Sequence, residues 1–332
     1  MISSAAGDTE KKILLILKVL SESSEPLGSI AIARKLEELG LSLNQRTVRY
    51  HLRIADERGY TKPMGRDGRM ITPRGLEEIR EARVPEQLGF ILDKLELLAF
   101  NTTFDPKTRS GLFPINTSLF DKEVFPKALE AMRGAFETGL CISQMVAVAG
   151  EGKKLGDVVI PRSKVGLATV CSIIVNGVLL KNGVPVDSRF GGVLEIKDSK
   201  PKRFVAIINY GGTSLDPSEQ YIRAKMTSVG EAARTGNGKI LANFRELPAP
   251  ARPVVERVVA ELKEAGMGGV YALGNTGEPV CQISVGTNRI GMALLGGLNP
   301  VAAAVEAGIE VDNVAESGMI SYAQLIRFHD LK

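Results

Sequence analysis

Arg46, Arg49 and Arg53 recur at helical spacing in NQRTVRYHLRIADERG, with Asn44, Gln45 and Tyr50 among them. Guanidinium forks at that spacing can donate to guanine edges in a major groove and to phosphate oxygens. They are free to do so only if the other side of the helix is held by a core. At about 100° per residue, Val48, Leu52 and Ala55 fall in one narrow arc and must face apolar neighbours. Arg46, Tyr50 and Arg53 fall on the opposite side, with Arg49 flanking. Downstream, Tyr60–Pro63 and Arg69–Thr72 read as two short strands around a tip at Gly65–Gly68, which carries Arg66 and Arg69. A basic hairpin of this kind lies along a phosphate backbone or enters a minor groove. The whole chain is only +4, but residues 44–75 hold 8 basic and 3 acidic side chains, so the excess sits at this helix and hairpin. A local basic field of this kind steers a polyanion.

A second set of residues suits a small anion. In NYGGTSLDP, Asn209, Tyr210, Gly211, Gly212 and Thr213 follow an expected strand, and the glycines can expose backbone N–H groups. Arg189, Asn288 and Arg289 could neutralise a carboxylate. Ordinary turns are the competing reading for the glycines. Cys171 lies in an apolar run and reads as a buried small hydrophobe, as do Cys141 and Cys281.

Other chemistries find no residues to carry them. Three widely spaced cysteines and two histidines argue against a zinc site or a disulfide framework. No HExxH, no nucleophile elbow and no complete phosphate loop is present. His51 and His329 stand at opposite ends of the chain. No apolar run is long enough to span a membrane. The N-terminus MISSAAGDTEKK carries acidic residues and lacks the build of a secretory signal, so a cytoplasmic location is expected.

The elements that must position these residues follow from periodicity and punctuation. A first helix is expected in TEKKILLILKVL, capped at Thr9. A second begins near Ser29 and closes at Gly40. The third is capped by Ser42 or Asn44 and stopped by Gly59. Thr72–Pro73 starts a closing helix. Three helices, a basic hairpin and a further helix make a winged helix-turn-helix. Such a domain binds DNA, usually as a symmetric pair, or clamps protein. Pro85–Phe100 reads as a linker helix whose apolar face packs on the next domain or on a second subunit.

Beyond residue 101, glycine and short valine/isoleucine runs dominate. CISQMVAVAG, KVGLATV, GGVLEI and RFVAIINYGG read as strands; DKEVFPKALEAMRGAFETG and PAPARPVVERVVAELKEAG read as helices. Val165–Asp187 echoes Ile290–Asp312 at a constant offset of 125 residues, with Gly166 against Gly291 and Gly183 against Gly308. A duplicated unit is expected. The fold class is α+β: an N-terminal winged helix-turn-helix domain plus a C-terminal mixed α/β regulatory domain with an internal duplication. The expected boundaries are 1–83 for the winged domain, 84–101 for the linker helix and 102–332 for the effector-binding and dimerisation domain of two pseudo-repeats.

A winged domain followed by NYGGTSLDPSE, ANFRELPAPA and GMGGVYALGNTGEPV resembles the NrpR family, archaeal repressors of nitrogen-assimilation genes. The resemblance covers about Glu10 to Leu325. It implies a homodimeric repressor on inverted-repeat operators, released by 2-oxoglutarate, with no cofactor and no membrane partner. It also implies an effector-responsive cysteine, for which Cys171 is the match. Some relatives carry two large domains, and some archaea divide the work between two proteins, so a second NrpR-family protein is a conceivable partner. The alternatives are an enzyme acting on a small carboxylate, with an accessory winged domain, and a winged protein-interaction module.

Overall fold

Ile13, Ile16, Leu17, Val19 and Leu20 occupy one side of a helix and are withdrawn from solvent. That helix, α1 (Ile2–Ser21), opens the chain; the computed structural model describes residues 2–38, 41–81 and 90–331. Gly40 and residues 85–89 of the expected linker helix lie outside the described residues. Thr9 does not cap α1, which begins at Ile2. Ala5 and Ala6 favour helix, and the lone Gly7 costs only about 1 kcal/mol, too little to stop it.

The chain divides into two compact units, Met1–Leu88 and Gly89–Lys332. In the first, α2 (Ser29–Glu38) and α3 (Gln45–Glu57) pack on α1. Ile16, Val19, Leu20, Ile32, Leu36, Val48 and Leu52 form one cluster, with Ile13, Leu17 and Ala55 beside it. Strands β1 (Thr61–Pro63) and β2 (Arg69–Ile71) make the expected hairpin, and α4 (Pro73–Glu81) follows. Leu27 exchanges both backbone hydrogen bonds with Arg69, adding a third partner to the hairpin. Thr72 Oγ1 accepts the Gly75 N–H at 3.1 Å and caps α4.

The second unit begins with α5 (Phe90–Asn101). Its Leu95, Leu98 and Ala99 bury against Cys171, Ile173 and Tyr210. Then come β3 (Leu112–Asp121), α6 (Phe125–Glu137), β4 (Met145–Gly150), the small hairpin β5 (Lys154–Leu155) and β6 (Val158–Val159), β7 (Lys164–Val170), α7 (Ile173–Lys181) and β8 (Asp187–Lys197). After β9 (Lys200–Asn209), α8 (Pro217–Arg223) and α9 (Val229–Thr235), the same order returns. It runs β10 (Gly238–Pro248), α10 (Arg252–Glu264), β11 (Val270–Leu273), β12 (Arg289–Leu295), α11 (Asn299–Glu306) and β13 (Asp312–Val314). Strands β14 (Met319–Ser321) and β15 (Ile326–Arg327) close the chain.

The echo in sequence is therefore an echo in structure: β7–α7–β8 recurs as β12–α11–β13. The sheets repeat as well, ordered β13-β3-β7-β4-β15 and β11-β12-β10-β8-β9. The pairing shifts by two residues between the copies: Asn116 faces Thr169, while Leu294, 125 residues after Thr169, faces Asn243, 127 residues after Asn116. The last strand of each copy leaves home. β8 pairs with β10 of the second copy, and β13 pairs with β3 of the first. The copies exchange their outer strands and share one core, which runs from Phe104 to Phe328.

Candidate functional site

The third helix owes its entry angle to Asn44, whose Oδ1 accepts the Thr47 N–H at 2.8 Å. Asn44 is in the extended region, as an N-cap requires. Val48, His51, Leu52 and Ala55 are buried, while Arg46, Arg49, Tyr50 and Arg53 are exposed. Gln45 Nε2 and Arg49 Nε both donate to Ser29 Oγ at 3.2 Å, which ties them to the start of α2. Arg53 stands 3.6 Å from Glu57 with both side chains about two-thirds exposed, a contact that solvent screens.

The two hairpin arginines differ. Arg66 is exposed at the tip. Arg69 Nε donates to Asp56 Oδ2 at 2.8 Å, and Thr61 Oγ1 donates to the other oxygen at 2.5 Å. Asp56, on the last turn of α3, thus pins the hairpin to the helix. Gly68 fixes the same seam: at φ +119°, an added Cβ would stand 2.3 Å from the Leu27 carbonyl.

In the second unit the polar interior gathers where the two copies meet. Asn116, Ser172, Asn243, Arg245 and Glu316 are buried, and with Cys171, Tyr210 and Asp216 they line a cavity of about 20 Å³. That is room for about one water-sized body. Arg245 is the largest of the fully buried side chains. Its Nε donates to Asn176 Oδ1 at 3.2 Å and its Nη1 to the Phe244 carbonyl at 3.2 Å. Its Cζ lies 5.3 Å from the Tyr210 ring centre, and its Nη2 has no hydrogen-bond partner. Tyr210 OH donates to Asn243 Oδ1 at 2.6 Å, and Asn243 Nδ2 donates to Ser172 Oγ at 3.1 Å.

Two carboxyls share this space. Burial and the neighbouring Glu316 push Asp216 well above the usual carboxylate range. Burial also raises Glu316, against the opposing pull of Lys94. Lys94 Nζ lies 3.8 Å from Glu316 Oε2 and donates to the Ala315 carbonyl at 3.1 Å. Burial, then the charge of Glu316, lifts the Cys171 thiol to about 12. It is protonated at neutral pH and not a ready nucleophile.

Among the residues expected to bind an anion, the cavity brings together Cys171 and Tyr210. Asn209, Gly211 and Gly212 are exposed on the chain that continues from Tyr210, and Thr213 turns back to donate to the Leu215 carbonyl at 3.0 Å. Arg189 is not in the cavity; it pairs with Asp187 at 3.3 Å and Glu246 at 3.4 Å. Arg245 and Glu246 are successive on β10 and project to opposite faces, which separates Arg189 from the cavity. Asn288 is exposed at the start of β12 and Arg289 half-buried beside it, opposite Pro248. Residue-by-residue reading missed Arg245, Asp216, Glu316 and the pair Asn116 and Asn243. The signal available was a charged pair, Arg245 and Glu246, between Phe244 and Leu247 inside ANFRELP. Among the described residues no helix is long and apolar enough to cross a membrane, and no group of three His, Cys, Asp or Glu could hold a metal ion.

Comparison with known proteins places these features in a family. Residues 88–327 match the model of NrpR regulatory domains NRD1 and 2. Residues 14–79 match a winged-helix model described from ribonuclease R, which accords with the fold of the first unit. The chain is 38% identical to the global nitrogen regulator NrpRI of Methanosarcina mazei, over 94% of this chain and 96% of that protein. It is 32% identical to the global nitrogen regulator NrpR of Methanocaldococcus jannaschii, over 98% of this chain and 56% of that one. The NrpR of Methanococcus maripaludis is 31% identical, over 90% of this chain and 52% of its own length. The chain thus spans about half of these last two relatives. The crystal structure of a nitrogen repressor-like protein from Methanococcus jannaschii superposes with a TM-score of 0.61 at 28% identity, covering 72% of this chain and 98% of the other. A winged-helix unit followed by a duplicated mixed α/β unit, with relatives at this identity over nearly the whole chain, makes this protein a member of the NrpR family of nitrogen-regulation proteins.

Proposed function

We propose that the protein is a homodimeric transcriptional repressor of nitrogen-assimilation genes that binds inverted-repeat operator DNA and is released by 2-oxoglutarate. The observation that carries the DNA reading is the division of labour on α3. Val48, Leu52 and Ala55 are spent on the core, and Arg46, Arg49, Tyr50 and Arg53 are left outside. Asn44 and Gln45 stand at the helix N-terminus, where first-turn groups approach base edges and phosphates. Arg66 on the wing adds attraction to a phosphate backbone, and Arg69 holds the wing in place. Two copies would bind two half-sites on one face of a duplex.

The cavity between the copies of the second unit is the proposed effector site. Arg245 supplies a buried guanidinium for a carboxylate, Ser172, Asn243 and Tyr210 supply hydrogen bonds, and Lys94, outside the lining but 3.8 Å from Glu316, is a second cation within reach. Cys171 lines the same cavity. Burial raises the value of each interaction there. A dicarboxylate is larger than the present cavity, so binding requires side chains to move. Unequal affinity for the two arrangements is what would couple effector to operator.

The test is a titration of the full chain with promoter DNA from its source, across salt and with or without 2-oxoglutarate. Duplex retention that weakens as 2-oxoglutarate is added is expected. Retention under neither condition would overturn the repressor reading in favour of a protein-binding winged domain.

A further inference from the structure

Glu316 is an unusual residue to find beside Arg245. Its backbone lies at φ +55°, a conformation that L residues with large side chains rarely hold. The surrounding structure enforces it. Glu316 N–H donates to Asn116 Oδ1 at 3.0 Å, Ser317 N–H to the Ile115 carbonyl at 2.9 Å, and Ala315 N–H to Glu219 Oε1 at 2.8 Å. The result is a carboxylate that is 5% exposed and aimed into a cavity whose other wall is a guanidinium with a spare N–H. Its Oε2 accepts no hydrogen bond, and Lys94 Nζ waits at 3.8 Å. In the first copy the same position, 125 residues earlier, is Gly191. The acid is therefore an addition of the second copy, and the symmetry of the duplication does not require it.

We infer that Glu316 is a resident counter-anion: its carboxylate stands in the place of an effector carboxylate, and a dicarboxylate enters by displacing it from Lys94 and from the cavity it shares with Arg245. This rests on the effector reading of the cavity. The buried Arg245 needs negative charge near it, since an unpaired buried charge is costly, and Lys94 reaches in from the half-exposed edge. Without ligand, Glu316 is the acid whose charge Lys94 and Arg245 favour, against its burial. An arriving dianion cannot share the space with an ionised Glu316, because like charges in a poorly solvated site repel strongly. Lys94 stands on α5, the helix that follows the winged unit in the chain. Its two contacts with residues 315–316 are the ones the displacement would exchange for ligand.

The test is calorimetric titration of the full chain with 2-oxoglutarate, comparing the wild type with Glu316→Gln and with Glu151→Gln as a surface control. Glu316→Gln keeps the shape and removes the competing charge, so it should bind about tenfold tighter. Glu151→Gln should bind like the wild type. If the wild type binds and Glu316→Gln binds equally or more weakly, displacement is overturned while the effector site stands. If neither binds at millimolar ligand, the effector reading falls and takes this inference with it. Should Glu316→Gln fail to unfold cooperatively, Lys94→Gln carries the test. Transfer of Lys94 to the ligand requires about tenfold weaker binding, and unchanged binding overturns it.

Discussion

Replacing Arg66 with alanine separates attraction to phosphate from reading of bases. Arg66 is exposed at the tip of the β1–β2 hairpin, and its neighbour Arg69 is already engaged by Asp56. The substitution therefore removes one mobile cation and leaves the seam between hairpin and helix whole. Each neutralised duplex phosphate contributes about 0.9 to the slope of log K against log salt. Arg66→Ala should reduce the magnitude of that slope by about 0.9 per copy. Relative to a molar-salt reference, the loss at about 0.15 M salt is then about fivefold per copy. The loss should be the same for operator and unrelated duplex, because phosphates carry no sequence. Fluorescence anisotropy of two labelled duplexes over a salt series reads both quantities. An unchanged slope, or a loss confined to the operator, would refute the placement of this arginine on the backbone.

Other perturbations have equally definite outcomes. Arg49→Ala should lose about 1–3 kcal/mol on the operator and little on unrelated DNA, narrowing the ratio of the two affinities in the same assay. Gly68→Ala places a methyl 2.3 Å from the Leu27 carbonyl at a positive φ, and should destabilise the winged unit by about 2 kcal/mol or more in denaturant unfolding. The Glu316 and Asp216 carboxyls are raised in the folded state, so the fold holds protons that the unfolded chain has already released. Their contribution to stability is full below the ordinary carboxylate range and is lost as pH rises through the raised folded values. The melting temperature of Glu316→Gln should therefore fall less steeply with rising pH over that window than that of the wild type.

The winged unit was legible because its residues do one thing at a time. Val48, Leu52 and Ala55 sit at helical spacing, Asn44 caps, and Gly59, Gly65 and Gly68 turn at positive φ. Periodicity and punctuation carry that information in short windows. The duplication was legible because its second half keeps one offset without gaps. Central strands β3 and β10 were harder to see. Asn116, Thr117 and Ser118 break the apolar pattern in one, and Asn243, Arg245 and Glu246 break it in the other, although all are buried. Their hydrogen-bond partners come from residues as much as 200 positions away, such as Glu316 and Ser317, and no local window contains them. The cavity was half legible for the same reason. Tyr210 announces itself in a glycine-rich turn, whereas Arg245 becomes a binding candidate only once the crossing strands place it inside.

The exchange of outer strands makes the two copies mutually dependent for folding. A cut between β9 and β10 would leave β3 and β10 each lacking an edge neighbour, since β13 and β8 would belong to the other fragment. Neither fragment should refold alone, but the two supplied together should reassemble, with the polar cavity restored only in the reunited pair.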